Sequence, residues 1–163
     1  MKIIKNIFTR KGKGDLNIKW RISRATDLKV VEKELEQLTK EDPSGESVDH
    51  LVSLVDDNDA ISKKVRDDII ALIYISYNDH FNYYTDDEIR NIVIDEGDEY
   101  TDFNVVCAAL KQIPRHDINK TNSYGETFLD EVIKYKSNAS PIKNKIISKI
   151  KEIGGEEGPD IYT

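Results

Sequence analysis

Apolar side chains recur at steps of three and four residues along most of this chain, and turn residues interrupt them at short intervals. That spacing follows the 3.6-residue helical turn and puts each apolar run on one face of a helix. Leu28, Val31, Leu35 and Leu38 form the first clear stripe, closed by Pro43 and Gly45. Val48, Leu51, Val52 and Val55 form the next, with Ser47 as a candidate N-cap and Asp56 to Asp59 as a break offering the following cap. Ile61, Val65, Ile69, Leu72 and Ile73 mark a long helix to about Tyr77. Its inner run, IIALIYIS, is apolar all round, which predicts a central helix; a buried strand is the alternative.

The second half continues in the same way. Thr85 and Glu88 have capping-box spacing, and Asp86 and Asp87 suit the positive end of the helix they open. Ile89, Ile92 and Val93 are its apolar face, and Gly97 its stop. Thr101 and Asp102 open a helix with Phe103, Val106, Cys107 and Leu110 inward, halted by Pro114. Thr127 caps a helix carrying Phe128, Val132 and Ile133. Ser140–Pro141 starts the last, with Ile142, Ile146, Ile150 and Ile153, before the stop Gly154–Gly155. The expected fold is one all-α domain over residues 1–163, with antiparallel helix pairs in a bundle or a short α-solenoid. Residues 1–18 lack this patterning. MKIIKNIF reads as a short strand or an arm, and KGKGD as a turn, so 1–18 is assigned as a basic arm.

The stretch 116–135, HDINKTNSYGETFLDEVIKY, resembles the loop and first helix of an ankyrin repeat. Asp117, Ile118 and Asn119 match the loop, Tyr124–Gly125 the turn, Thr127 the cap and Leu129 the buried leucine. Ile146, Ile147 and Ile150 fall at the second helix's apolar positions, counted back from Gly154. Phe128 replaces the family's proline, Asp130 its histidine and Gly155 its alanine, and 136–141 looks like an insertion. The resemblance covers about residues 116–155 and extends weakly to the helices at 86–94 and 102–111. It implies stacked helix pairs used for protein binding without catalysis, the last one a polar capping unit with Lys143, Lys145, Lys149 and Lys151 outward.

Charge is distributed unevenly. Residues 1–25 hold eight basic groups and one acid, and residues 86–102 hold eight acids beside Arg90 alone. The whole chain carries −7, which opposes binding to nucleic acid and anionic membranes. No apolar run reaches the roughly 18 residues of a membrane span. A single cysteine, Cys107, excludes an intrachain disulfide, and with no secretory signal the expected location is cytoplasmic.

Catalytic and cofactor motifs are missing: there is no G-x-G-x-x-G, Walker loop, H-E-x-x-H or G-x-S-x-G. His50, His80 and His116 have no metal-ligand spacing, DDNDAISKKVRD from Asp56 resembles a calcium loop only in its first acids, and DEGDE, Asp95 to Glu99, reads as a solvated helix connection. No catalytic residue, metal ligand or cofactor is assigned. Seven of the thirteen aromatic residues lie between Tyr74 and Phe103, in the stretch that carries the acidic block. Aromatic anchors with a charged rim suit a protein-binding surface. The assigned partner-binding residues are Tyr83, Tyr84, Asp86, Asp87, Asp95, Glu96, Asp98, Glu99 and Tyr100, with Tyr83 and Tyr84 as exposed anchors. The expected function is non-enzymatic: a stoichiometric inhibitor, such as a bacterial immunity protein, that neutralises a basic toxin through this face. The alternative is a general ankyrin-like adaptor whose basic N-terminal arm contacts nucleic acid or an acidic partner.

Overall fold

The computed structural model describes residues 11–46, 48–94 and 101–159, with side chains from 17 onward. Ser47, Asp95, Glu96, Gly97, Asp98, Glu99 and Tyr100 therefore lie outside the described residues, as does MKIIKNIF. The described residues form packed helix pairs and contain no strand. The chain divides into two compact units, Met1–Tyr83 and Tyr84–Thr163.

The first unit contains α1 (Lys11–Ser23), α2 (Leu28–Glu41), α3 (Val48–Asp56), α4 (Lys63–Ser76) and the single turn α5 (Asn78–Phe81). Helix α1 corrects the sequence reading. KGKGD, expected as a turn in an arm, is helical, and α1 packs on α2 and α3. Its apolar residues are sparse, but Ile18 and Ile22 are buried, as are Lys19 and Ser23. Tertiary contact thus overrides two glycines of poor helix propensity.

Asp27 caps α2 by accepting the Lys29 N–H at 2.9 Å, and all four stripe residues, Leu28, Val31, Leu35 and Leu38, are buried. A fully buried leucine or isoleucine contributes on the order of 1.5–3 kcal/mol of transfer free energy. The α2–α3 turn passes through Gly45 at φ 61°, where a Cβ would stand 2.5 Å from Cε2 of Phe81. Buried Tyr77 donates its hydroxyl to the Asp42 carbonyl at 3.2 Å and so fixes the same turn.

The acids at 56–59 break the chain as expected, but Ser62, not one of them, caps α4: its Oγ accepts the Val65 N–H. Asn58 instead donates to the Ser23 carbonyl at 2.7 Å, tying this turn to the C-terminal end of α1. Helix α4 packs against both α2 and α3 and buries Ile69, Leu72, Ile73 and Ile75, so the apolar run is a central helix rather than a strand.

The second unit contains α6 (Asp86–Ile94), α7 (Phe103–Gln112), α8 (Phe128–Tyr135) and α9 (Lys143–Glu152). Helix α6 packs on α7 and α8, and α9 on α7 and α8. Asp102 caps α7 through the Asn104 N–H at 2.8 Å. The buried face of α8 is Phe128, Leu129 and Val132; Ile133, expected inward, is 38% exposed. The segment 136–141 forms a turn between α8 and α9. Lys143 does not point freely outward: its ammonium donates to the Ile133 and Lys136 carbonyls and to Asn138 Oδ1. It thereby satisfies carbonyls that the end of α8 leaves open.

After α9 the chain turns at Gly154, φ 100°, and the Gly155 N–H donates to the Ile150 carbonyl at 2.8 Å. At Gly155 a Cβ would run into the Ile150 side chain and stand 2.9 Å from its carbonyl oxygen. That crowding favours glycine at this position. Beyond it the chain folds back along the unit. Asn119 donates to the Gly154 carbonyl at 2.9 Å and accepts the Glu156 N–H at 2.8 Å.

Candidate partner-binding site

Helix α6 begins as its sequence predicts. Thr85 Oγ1 accepts the Glu88 N–H at 3.2 Å, and Glu88 Oε2 accepts the Thr85 N–H at 2.7 Å. The two Thr85 donors hold the Glu88 carboxyl below its ordinary range. Asp86 and Asp87 follow in the first turn, both exposed, and neither makes an ion pair among the described residues. Their charge is favoured by the amide dipoles at the helix start.

One turn further, Arg90 leaves α6 towards α8. Its Nη2 donates to Glu131 Oε2 at 3.2 Å, and its guanidinium lies 4.8 Å from the centre of the Phe128 ring. Glu131 Oε1 accepts from Asn122 Nδ2 at 3.1 Å. Asn122 organises the turn that follows: its Oδ1 accepts the N–H groups of Tyr124 and Glu126, and Gly125 closes the turn at φ 77°. Asn122 also donates to Glu126, which accepts from Lys134 and from the Tyr135 hydroxyl. Lys134, Asn122 and Tyr135 together keep the Glu126 carboxyl below its usual pKa, and Glu126 raises that of Lys134. One chain of polar contacts therefore links α6, the 122–126 turn and α8. Tyr124 stands at the tip of that turn, 76% exposed.

Between α6, the end of α7 and the 114–122 loop lies a groove of about 530 Å3. Ile94, Ile113 and Pro114 supply apolar surface above buried Ile89; Asp86, Asp87 and Asp117 supply carboxylates. A second cleft of about 480 Å3 separates α7 from α9. Cys107, expected on a buried stripe, is half-buried there, beside Phe103, Lys145 and Lys149. No group of histidine, cysteine, aspartate and glutamate that could hold a metal occurs among the described residues. No helix among them is long and apolar enough to cross a membrane.

No protein family, curated protein or solved structure matches the chain.

Of the assigned partner-binding residues, Asp86 and Asp87 are exposed on α6, while Tyr83 and Tyr84 are half-buried. Tyr83 closes the first unit, with its ring 4.6 Å from that of Tyr74 and 5.5 Å from that of Phe81. Burial and the charge of Asp49 push its hydroxyl pKa up. The more exposed rings are Trp20 and Phe81 in the first unit and Tyr124 and Tyr135 in the second. Sequence reasoning did not assign Tyr124, Asp117 or Thr121 to the surface. The Tyr–Gly turn signal was present in the sequence, but only the folded loop brings Asp117 and Thr121 beside α6.

Proposed function

We propose that this chain is a non-catalytic protein-binding module, a stoichiometric inhibitor of a basic partner in the manner of a bacterial immunity protein. The single observation that carries this reading is the start of α6, where three consecutive acids, Asp86, Asp87 and Glu88, are exposed. Acidic surfaces of this kind accelerate encounter with cationic proteins and select against anionic ones. The binding face of this reading lies in the second unit, where half-buried Tyr84 precedes the acids in the sequence and the acidic block continues in the sequence to Asp102.

The ankyrin-like reading of residues 116–155 belongs to the same proposal. It is supported by the Thr127 cap, the Asn122–Gly125 turn, and the return of residues 154–158 to Asn119 and Thr127. In this reading the unit is the polar end of a short stack of helix pairs.

Residues 11–18 of the assigned arm belong to α1, packed on α2 and α3, and the basic groups that follow are engaged within the first unit, which favours the inhibitor over an adaptor with a nucleic-acid-binding arm. Lys19 is buried, Arg21 donates to Glu34 at 2.7 Å, and Arg24 lies 4.6 Å from the Trp20 ring centre. The test is co-expression with the product of the adjacent open reading frame, followed by sizing and an assay of that product's toxicity. A one-to-one complex that suppresses toxicity is expected. A chain that stays alone, and instead binds DNA with a steep salt dependence, overturns the reading.

A further inference from the structure

We infer that the groove beside α6 is the seat of a lysine or arginine side chain from the basic partner. This rests on the protein-binding reading above and specifies where and how contact is made. The groove has two parts of different chemistry. Ile94, Ile113 and Pro114 offer an apolar wall, and Asp86, Asp87 and Asp117 offer carboxylates. A long basic side chain has the same division: an aliphatic stem that prefers apolar contact and a cationic head that needs acceptors. A small anion finds too few cations here, since Arg90 is already bound to Glu131 and Lys120 lies 3.9 Å from Asp117. An uncharged apolar ligand would leave the carboxylates desolvated and unpaired.

The charges that remain uncompensated are those of Asp86 and Asp87. Neither forms an ion pair among the described residues, and both are exposed, so both carboxylates are accessible to an arriving cation. The walls are pre-set. Arg90 is held by Glu131 and by the Phe128 ring, and Glu131 in turn by Asn122, so the loop opposite α6 does not need to be ordered on binding. Pre-organisation lowers the entropy cost of association.

The test uses the full chain, 15N-labelled, titrated with a lysine-rich decapeptide and with the same peptide fully Nε-acetylated. The expected result is salt-sensitive binding of the unmodified peptide alone, with amide shifts centred on Ile89, Ile113 and Thr121. Asp86→Asn/Asp87→Asn should weaken it by about tenfold, a loss typical of removing partners from a charged contact. Thr121→Arg places a cation inside the groove from an exposed position and should weaken it by about as much. Should the peptide bind with shifts elsewhere, or bind Thr121→Arg as tightly as the parent, the groove is not the seat, though the acidic-face reading survives. Should the peptide not bind at all, both fall.

Discussion

Thr127 and Asp130 cap each other. The Asp130 N–H donates to Thr127 Oγ1 at 3.3 Å, and the Thr127 N–H donates to Asp130 Oδ2 at 2.9 Å. The pair also reaches beyond its helix: the Thr127 hydroxyl donates to the Glu156 carbonyl at 2.8 Å, and the Gly158 N–H to Asp130 at 3.0 Å. Where the ankyrin resemblance would have a histidine, this carboxylate binds the start of α8 and the chain leaving α9. Asp130→Ala should therefore cost about 1–2 kcal/mol, more than an isolated cap, and Asp130→Asn clearly less. Urea unfolding followed by circular dichroism reads the difference; equal losses for the two variants would contradict this role.

Arg90 and Glu131 are both mostly shielded from water, with side chains 23% and 17% exposed. Arg90→Met should cost about 1–3 kcal/mol, because it leaves the Glu131 carboxylate without its cation. The double variant Arg90→Met/Glu131→Gln should cost less than the sum of the single changes. Strict additivity in the denaturation midpoints would show that the pair is not coupled.

Ile22 is fully buried in α1. Ile22→Ala should destabilise the chain by about 2–4 kcal/mol, as large-to-small changes in a packed core do. A segment acting only as an arm would tolerate the matching change at Ile18, which is also buried in α1. Fluorescence of the sole tryptophan, Trp20, two residues away and half-exposed beside Arg24, reports directly on α1.

Gly155→Ala should lower stability by about 1–3 kcal/mol, because the new methyl meets the Ile150 side chain and backbone. A thermal midpoint equal to the parent's would show that the turn after α9 yields freely.

The Glu88 and Glu126 carboxyls are both held below the unfolded value of about 4.3. A group with a lowered folded pKa contributes stability that is complete above the unfolded value and is lost as pH falls through the folded one. Stability should thus decline on acidification below about pH 5, and Glu88→Gln and Glu126→Gln should each flatten that decline. The Lys134 pKa is raised, so its contribution is lost only on the alkaline side, above about pH 10.4. Acid titration of the variants by circular dichroism checks the sign: acid limbs as steep as the parent's would refute it.

The local signals were legible where one helix face or one cap decided the outcome. The stripe Leu28, Val31, Leu35, Leu38 and the reciprocal pair Thr85–Glu88 need only neighbours within one or two turns, and both formed as their spacing predicts. Helix α1 was not legible, because Lys11, Gly12, Lys13 and Gly14 carry no stripe, and its support comes from α2 and α3, which are distant in sequence. The cap of α4 went to Ser62, directly before its first residue, rather than to the acids further upstream.

The candidate site divides in the same way. Asp86 and Asp87 were marked by their position at a helix start, a property of adjacent residues alone. Asp117, Thr121 and Ile113 join them only through the 114–122 loop, whose path depends on Asn122 finding Glu131 and on Asn119 finding the chain after α9. By itself the sequence determined most of the helices and their buried faces, because periodicity and capping act over a few residues. Only the tertiary structure decided which polar groups meet across loops, because those contacts form between segments that the sequence keeps about ten to forty residues apart.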